Sequence, residues 1–160
     1  MPYRRAFLAV SVIALLAGCA TQPTPVSVAD TIAHNPQLTM LNSLVQQAGL
    51  TETLKSPGPF TVFAPTNDAF KAVPARTMDE LGKDPARLKS VLTFHVLPGK
   101  MMAGDVKNGN VKTAQGSNVE LAKAGEFVTI EDAMVQTADI AATNGVVHTV
   151  DRVLMPPVRR

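Results

Sequence analysis

The most constraining feature of this sequence is the stretch of residues 144–156, close to its C-terminal end. Asn144 and Gly145 tolerate a positive φ angle, so this pair predicts a turn. The residues that follow alternate between two faces and place valines on both, which is typical of a strand covered on both sides. Pro156 and Pro157 have no N–H group for a ladder hydrogen bond and end the pattern. We therefore predict one long, largely buried strand that closes the fold.

A second apolar run, Phe60–Pro65, is the predicted partner of this strand. It is rich in residues that favour strands and it ends in a proline. Thr66 follows, a residue type that caps helices, and Asp68 would lie in the first helical turn. The run therefore predicts a strand that leads directly into a capped helix.

The remainder divides into a helical first half and a strand-rich second half. Capping residues, prolines at helix starts and apolar residues at helical spacing predict helices over residues 27–33, 35–48, 50–54, 77–81 (from a capping box at Thr77) and from 85 until Pro98-Gly99. Short β-prone segments separated by glycines follow, at residues 111–113, 118–122, 126–130, 133–137 and 140–142. This order predicts a single domain of the α+β class.

The first 18 residues carry the pattern of an export signal. Arg4 and Arg5 precede a mostly apolar run that is short for a permanent membrane span. Residues 16–19, Leu-Ala-Gly-Cys, resemble the bacterial lipobox, in which the cysteine carries acyl chains such as palmitate and becomes the mature N-terminus. We predict a lipoprotein signal peptide over 1–18, lipidation at Cys19 and an extended tether over 19–26. The alternative is an ordinary signal peptide with an unrelated cysteine.

Cysteine content and charge limit the location and the partners. Cys19 is the only cysteine, so no disulfide forms within the chain. Acyl chains on it would hold the protein on a membrane, because each buried CH₂ group contributes about 0.8 kcal/mol. This predicts a lipid-anchored protein of the cell envelope. Without Arg4 and Arg5 the chain has 13 basic and 13 acidic residues, a balance that argues against nucleic acid as a partner.

Three segments resemble the signatures of the fasciclin domain family. Residues 58–70, Gly-Pro-Phe-Thr-Val-Phe-Ala-Pro-Thr-Asn-Asp-Ala-Phe, resemble the first signature, and residues 144–156 resemble the second. Residues 92–99 resemble the Tyr-His segment between them, with Phe94 in place of the tyrosine and with His95. The three motifs occur in the family order, and the similarity covers one domain over residues 27–157.

The resemblance implies a wedge-shaped fold, with β-sandwich-like sheets and a helical bundle on one side. It implies a protein that is not an enzyme and that mediates adhesion or surface contacts by binding an extracellular or envelope protein or polysaccharide. In some animal members an Asp-Ile pair just before the second signature is linked to integrin binding, and the matching pair here is Asp139-Ile140. The candidate partner-binding residues are therefore Asp139, Ile140, Phe94 and His95.

Each candidate also has a structural interpretation. Asp139 can be an edge-strand acid followed by a core isoleucine. His95 is at a predicted helix end, where positive charge is favourable. His148 lies in a mostly apolar row, where a buried neutral imidazole needs a hydrogen-bond donor and an acceptor around it. These residues can therefore serve the fold alone.

A different functional class is a small-ligand carrier in the envelope, for example for haem. His95, His148 and the Met101-Met102 pair could supply axial ligands if they are exposed and convergent. Histidine pairs with metal-ligand spacing, nucleophile elbows and phosphate-binding glycine loops do not occur in the sequence. The leading hypothesis therefore includes no cofactor, no metal ion and no catalysis.

Overall fold

A computed structural model describes residues 26–157. The signal peptide predicted over 1–18, Cys19 and all of the tether except Val26 lie outside the described residues. The helices are α1 (Val28–His34), α2 (Thr39–Gln47), α3 (Thr51–Lys55), α4 (Asn67–Lys71), α5 (Ala75–Lys83) and α6 (Pro85–Phe94), with 3-10 turns at Pro36–Leu38 and Ala103–Asp105. The strands are β1 (Phe60–Pro65), β2 (Val96–Pro98), β3 (Gly109–Lys112), β4 (Asn118–Ala124), β5 (Phe127–Ile130), β6 (Ala133–Ala142) and β7 (Gly145–Val150).

Three helices begin at the capping residues that the sequence indicates. The side chains of Ser27, Thr66 and Asp84 accept backbone N–H groups at the starts of α1, α4 and α6, which satisfies donors that have no partner inside the helix. The capping box predicted at Thr77 is wrong. Helix α5 begins two residues earlier, after Pro74, whose carbonyl already accepts the N–H group of Thr77 at 2.9 Å.

The strands form one seven-stranded sheet in the order β2-β1-β7-β6-β5-β4-β3. Strands β1 and β7 are parallel and pair from Phe60 opposite Gly145 to Pro65 opposite Val150, which confirms the predicted partnership. The two edge strands, β2 and β3, also approach each other. The N–H group of Ala114, just beyond β3, donates to the Val96 carbonyl in β2 at 2.7 Å. The sheet is therefore nearly a barrel, with helices beside it, and the predicted α+β class is confirmed.

Both faces of β1 and β7 are covered. Val62 and Ala64 belong to a first cluster of buried residues, formed with the helices, whereas Phe63 belongs to a second cluster inside the curled sheet. Strand β7 divides in the same way, with Val147 in the first cluster and Val150 in the second. This two-sided burial is the reason that both strands are nearly continuous runs of apolar residues.

The structure corrects three predicted boundaries of helices and strands. Strand β7 ends at Val150 and not at Pro156, because its neighbour β1 ends at the paired residue Pro65, from which the chain turns into α4. Helix α6 ends at Phe94, and a strand that was not predicted, β2, occupies residues 96–98. The segments predicted at 133–137 and 140–142 are one strand, β6, whose pairing with β7 shifts twice.

The turn before β7 is fastened to the helical side by one asparagine. The Asn144 side chain accepts the N–H group of Val28 at 2.8 Å and donates to the carbonyls of Leu54 and Ser56 at 2.7 and 2.8 Å. The neighbouring Thr143 donates its N–H group to the Val26 carbonyl at 2.9 Å. The first described residues are therefore tied to the β6–β7 turn.

Candidate functional site

Asp139 stands on an irregular part of β6. The pairing with β7 moves from Thr137 opposite Thr149 to Ile140 opposite Val147, so β6 has more residues than its partner over this stretch, as in a β-bulge. Asp139 has a φ of 58°, a left-handed conformation that aspartate adopts more readily than most residues. Its side chain is 39% exposed. The bulge therefore turns this carboxylate towards solvent.

His148, on the adjacent strand β7, holds the bulge from inside. Its Nδ1 atom accepts the backbone N–H group of Asp139 at 3.1 Å, and its Nε2 atom donates to the Met101 carbonyl at 2.8 Å. The ring is 1% exposed and stacks on Phe63 with centroids 5.3 Å apart. Because Nδ1 must accept, the ring is the neutral tautomer that carries its proton on Nε2. Burial lowers the pKa of His148, while the Met101 carbonyl and the Asp139 carboxylate, 3.9 Å from Nδ1, oppose that shift.

One loop, residues 99–103, lies against these strands and completes the site. The Thr61 hydroxyl, in β1, donates to the Gly99 carbonyl at 2.7 Å and accepts the N–H group of Met101 at 2.8 Å. The Asp139 carboxylate accepts the N–H group of Ala103 at 2.7 Å through Oδ1. The 99–103 loop is therefore held by side chains from β1, β6 and β7. The sequence gives little signal for this arrangement, since Thr61 is one polar residue in an apolar strand.

The predicted Asp139-Ile140 pair is divided between solvent and the core. Ile140 is half-buried and packs against the first cluster, whereas the Asp139 carboxylate is partly exposed. The Ile140 side chain thus anchors the end of the bulge, and the charge of Asp139 is the part of the pair that is presented to solvent.

Phe94 and His95 are both only 2% exposed. Phe94 packs in the second cluster. His95 is the C-terminal cap of α6, where its Nδ1–H group donates to the Val91 carbonyl at 2.8 Å and its Nε2 atom accepts the N–H group of Leu154 at 2.9 Å. Burial lowers the pKa of His95 to about 4, against the opposing effect of the bond to Val91. Contact between either side chain and a partner would therefore require the core to open.

The same hydrogen bonds bear on the haem hypothesis. Both ring nitrogens of His95 and both of His148 are already bonded to backbone groups, so each ring would lose a buried hydrogen bond before it could ligate iron. Met101 is partly buried against the second cluster. Within residues 26–157, no group of three or more His, Cys, Asp or Glu side chains is placed to hold a metal ion.

No helix within residues 26–157 combines the length and the apolar character that crossing a bilayer requires.

Known proteins resemble this chain in sequence and in fold. A cyanobacterial protein, Protein sll1483 of Synechocystis sp., is 39% identical over 143 residues, which are 87% of this chain and 78% of that protein. Cell surface glycolipoprotein MPB83 of Mycobacterium bovis is 34% identical over 149 residues, 90% of this chain and 65% of that protein. The solved structure of a FAS1 domain pair from the insect cell adhesion molecule Fasciclin I shares the fold, with a TM-score of 0.66 at 16% identity over 82% of this chain and 51% of that one. The family profile described as "Fasciclin domain" matches residues 36–156, and this chain therefore belongs to the fasciclin domain family.

Proposed function

We propose that this chain is a lipid-anchored protein of a bacterial cell envelope that mediates adhesion or other surface contacts by binding a protein or a polysaccharide. The observation that carries the proposal is the Asp139 carboxylate, which is partly exposed on a bulge and belongs to the pair that resembles the family's Asp-Ile pair. The role is one of binding and not of catalysis.

The surroundings of Asp139 suit it to binding. Its backbone N–H group is held by His148, and one carboxylate oxygen, Oδ1, is held by Ala103. Among residues 26–157, no side chain or backbone group donates a hydrogen bond to the second oxygen, Oδ2. A partner that offers an N–H group, a hydroxyl group or a cation to Oδ2 would meet a carboxylate that is already fixed, so little conformational entropy is lost on binding.

Replacing Asp139 by Asn tests whether this carboxylate carries the binding. The variant keeps a side-chain oxygen for the Ala103 N–H group but removes the charge. Hydrogen bonds to charged groups are worth about 1 kcal/mol more than neutral ones, so we expect the Kd to rise about fivefold. The measurement is a binding isotherm of the chain from Ala20 onwards, titrated with exopolysaccharide of the source organism, collagen and fibronectin.

Asp132→Asn is the matched control, because Asp132 is also an exposed acid beside the strands but pairs with Arg152 at 3.1 Å. We expect it to leave the Kd unchanged. Saturable binding that Asp139→Asn does not weaken would show that the binding site does not include Asp139. Binding to none of the three materials would contradict the adhesive role.

The lipid anchor is proposed from residues 16–19, and the relative named as a cell surface glycolipoprotein supports it. We expect the mature protein, purified from bacterial membranes, to begin at a Cys19 that carries acyl chains, and intact-mass spectrometry measures this directly. Cys19→Ser should remove the added mass and release the protein from the membrane fraction. An unmodified Cys19 in the wild type, or cleavage at another residue, would contradict the anchor.

A further inference from the structure

An apolar crevice of about 60 Å³ lies between the helices and the sheet. It lies apart from the Asp139 site, and none of the residues that hold the 99–103 loop lines it. Its buried wall is made by aliphatic side chains from α1, α2, α3, α6 and β1 and from the residues beside them, among them Leu41, Val45, Val62 and Leu92. Four half-buried or exposed residues mark its open side: Thr53, Phe60, Thr93 and Ala114.

Apart from the Thr53 and Thr93 hydroxyl groups on its open side, the lining offers no hydrogen bond to a molecule inside the crevice. The one buried polar residue in the wall is His95, and its two ring nitrogens are already bonded to Val91 and Leu154. The Thr93 hydroxyl donates to the Lys89 carbonyl within its own helix, at 2.8 Å. Water in such a space lacks the two to four polar partners that it needs, so the crevice favours hydrocarbon.

The volume distinguishes a chain from a ring. An engineered cavity of about 150 Å³ binds benzene, so each of its six carbons takes about 25 Å³. The crevice therefore takes about two or three carbons of a chain. It is too small for an aromatic ring, and its open side lets a longer molecule extend into solvent.

We propose that this crevice binds the last two or three carbons of an unbranched hydrocarbon chain, whose polar end stays in solvent beside Thr53 and Thr93. The chain can belong to a lipid or to a free alkyl compound. The proposal is independent of the adhesive role, because it uses other residues on another part of the domain.

A titration with linear alcohols tests the proposal on the chain from Ala20 onwards, which retains every described helix and strand and both buried clusters. Methyl NMR signals of Leu41, Val45 and Leu92 should shift and saturate with n-butanol, while those of Val119 in the second cluster should not. Affinity should rise about fourfold per carbon from methanol to propanol and then level off, since each buried CH₂ adds that factor. Equal shifts in both clusters, or equal affinity for tert-butanol, whose branched four-carbon end is larger than the crevice volume, would overturn the proposal.

Filling the crevice gives a second, independent readout. Val45→Leu adds a methylene group to the wall, and we expect butanol affinity to fall at least tenfold while the protein stays folded. Val62→Leu tests the same space from the sheet side if the first variant does not fold. Val119→Leu, at a buried valine of the second cluster, is the matched control and should keep wild-type affinity. Unchanged affinity in a folded Val45→Leu or Val62→Leu protein would overturn the proposal.

Two further probes distinguish dissolved lipid from a membrane as the source of the hydrocarbon chain. A short-chain phosphatidylcholine, dissolved below its micelle concentration, should compete with butanol for the same methyl signals if the chain end is what binds. Vesicles of long-chain phosphatidylcholine test chains that are packed in a membrane. Competition by the dissolved lipid supports the proposal, and competition by vesicles alone would overturn it, because the membrane surface would then be the ligand.

Discussion

Gly145→Ala is expected to destabilise the fold by about 4 kcal/mol or more, which few single substitutions do. A Cβ atom at Gly145 would stand within clashing distance of the Phe60 carbonyl oxygen and of the carbon that bears it. These are backbone atoms of the strand that pairs with β7, so no side-chain rotation relieves the clash. Separating the strands would break the bond from the Phe60 N–H group to the Asn144 carbonyl, at 3.0 Å. Urea denaturation of the wild type and the variant measures the difference in the free energy of unfolding.

Variants of two further glycines test whether the loss of stability comes from this contact. Gly58→Ala places a Cβ atom within clashing distance of the Asn144 carbonyl oxygen, which accepts the Phe60 N–H group. A loss of stability of similar size is therefore expected. Gly82 lies inside α5, and nothing stands within 4 Å of a Cβ atom built there. Gly82→Ala should therefore stabilise the protein by about 1 kcal/mol, the difference in helix propensity. A loss below about 1 kcal/mol for Gly145→Ala would show that β1 and β7 separate easily.

The parts of the fold that depend on local pattern could be predicted from the sequence. Three helix caps are where Ser27, Thr66 and Asp84 indicate them, because capping needs only a side chain and the N–H groups that follow it. The partnership of β1 and β7 could also be predicted, because only a strand covered on both faces has continuous apolar residues. The parallel direction could not, since apolar content does not specify direction.

The candidate site depends on tertiary features that no short segment of the sequence predicts. The bulge at Asp139 interrupts the alternation of β6, so one strand has the pattern of two short ones. Their motif predicts Phe94 and His95 as contact residues, but burial is a tertiary property, and both lie inside the core. The structural interpretation of His148 is confirmed, although its partners, Asp139 and Met101, could be identified only once the chain is folded.

The free energy of unfolding is expected to fall by about 3 kcal/mol between pH 6.5 and pH 4, because of His95 alone. The pKa of His95 is lowered by burial from its ordinary 6.5 to about 4. Between these values the unfolded chain binds a proton that the folded chain does not, so acid favours unfolding, and this stability is fully present only above pH 6.5. His148 adds to the loss in the same direction, because burial lowers its pKa too. Urea denaturation at several pH values from 7.5 to 4 measures the slope.

A variant without an ionisable group at position 95 tests whether His95 causes this pH dependence. His95→Gln keeps an oxygen that can accept the Leu154 N–H group, so the protein should be less stable but its stability should depend less on pH. Val119→Ala is the matched control, since it removes a similar amount of stability from the second cluster and keeps every histidine, so the wild-type slope should remain. Asp30 has a lowered pKa because the Ser27 hydroxyl donates to it, so its contribution is lost as the pH falls below 3.8, outside this window. Equal slopes in the wild type and His95→Gln would show that His95 does not stay neutral in the folded protein, contrary to its bond from Leu154.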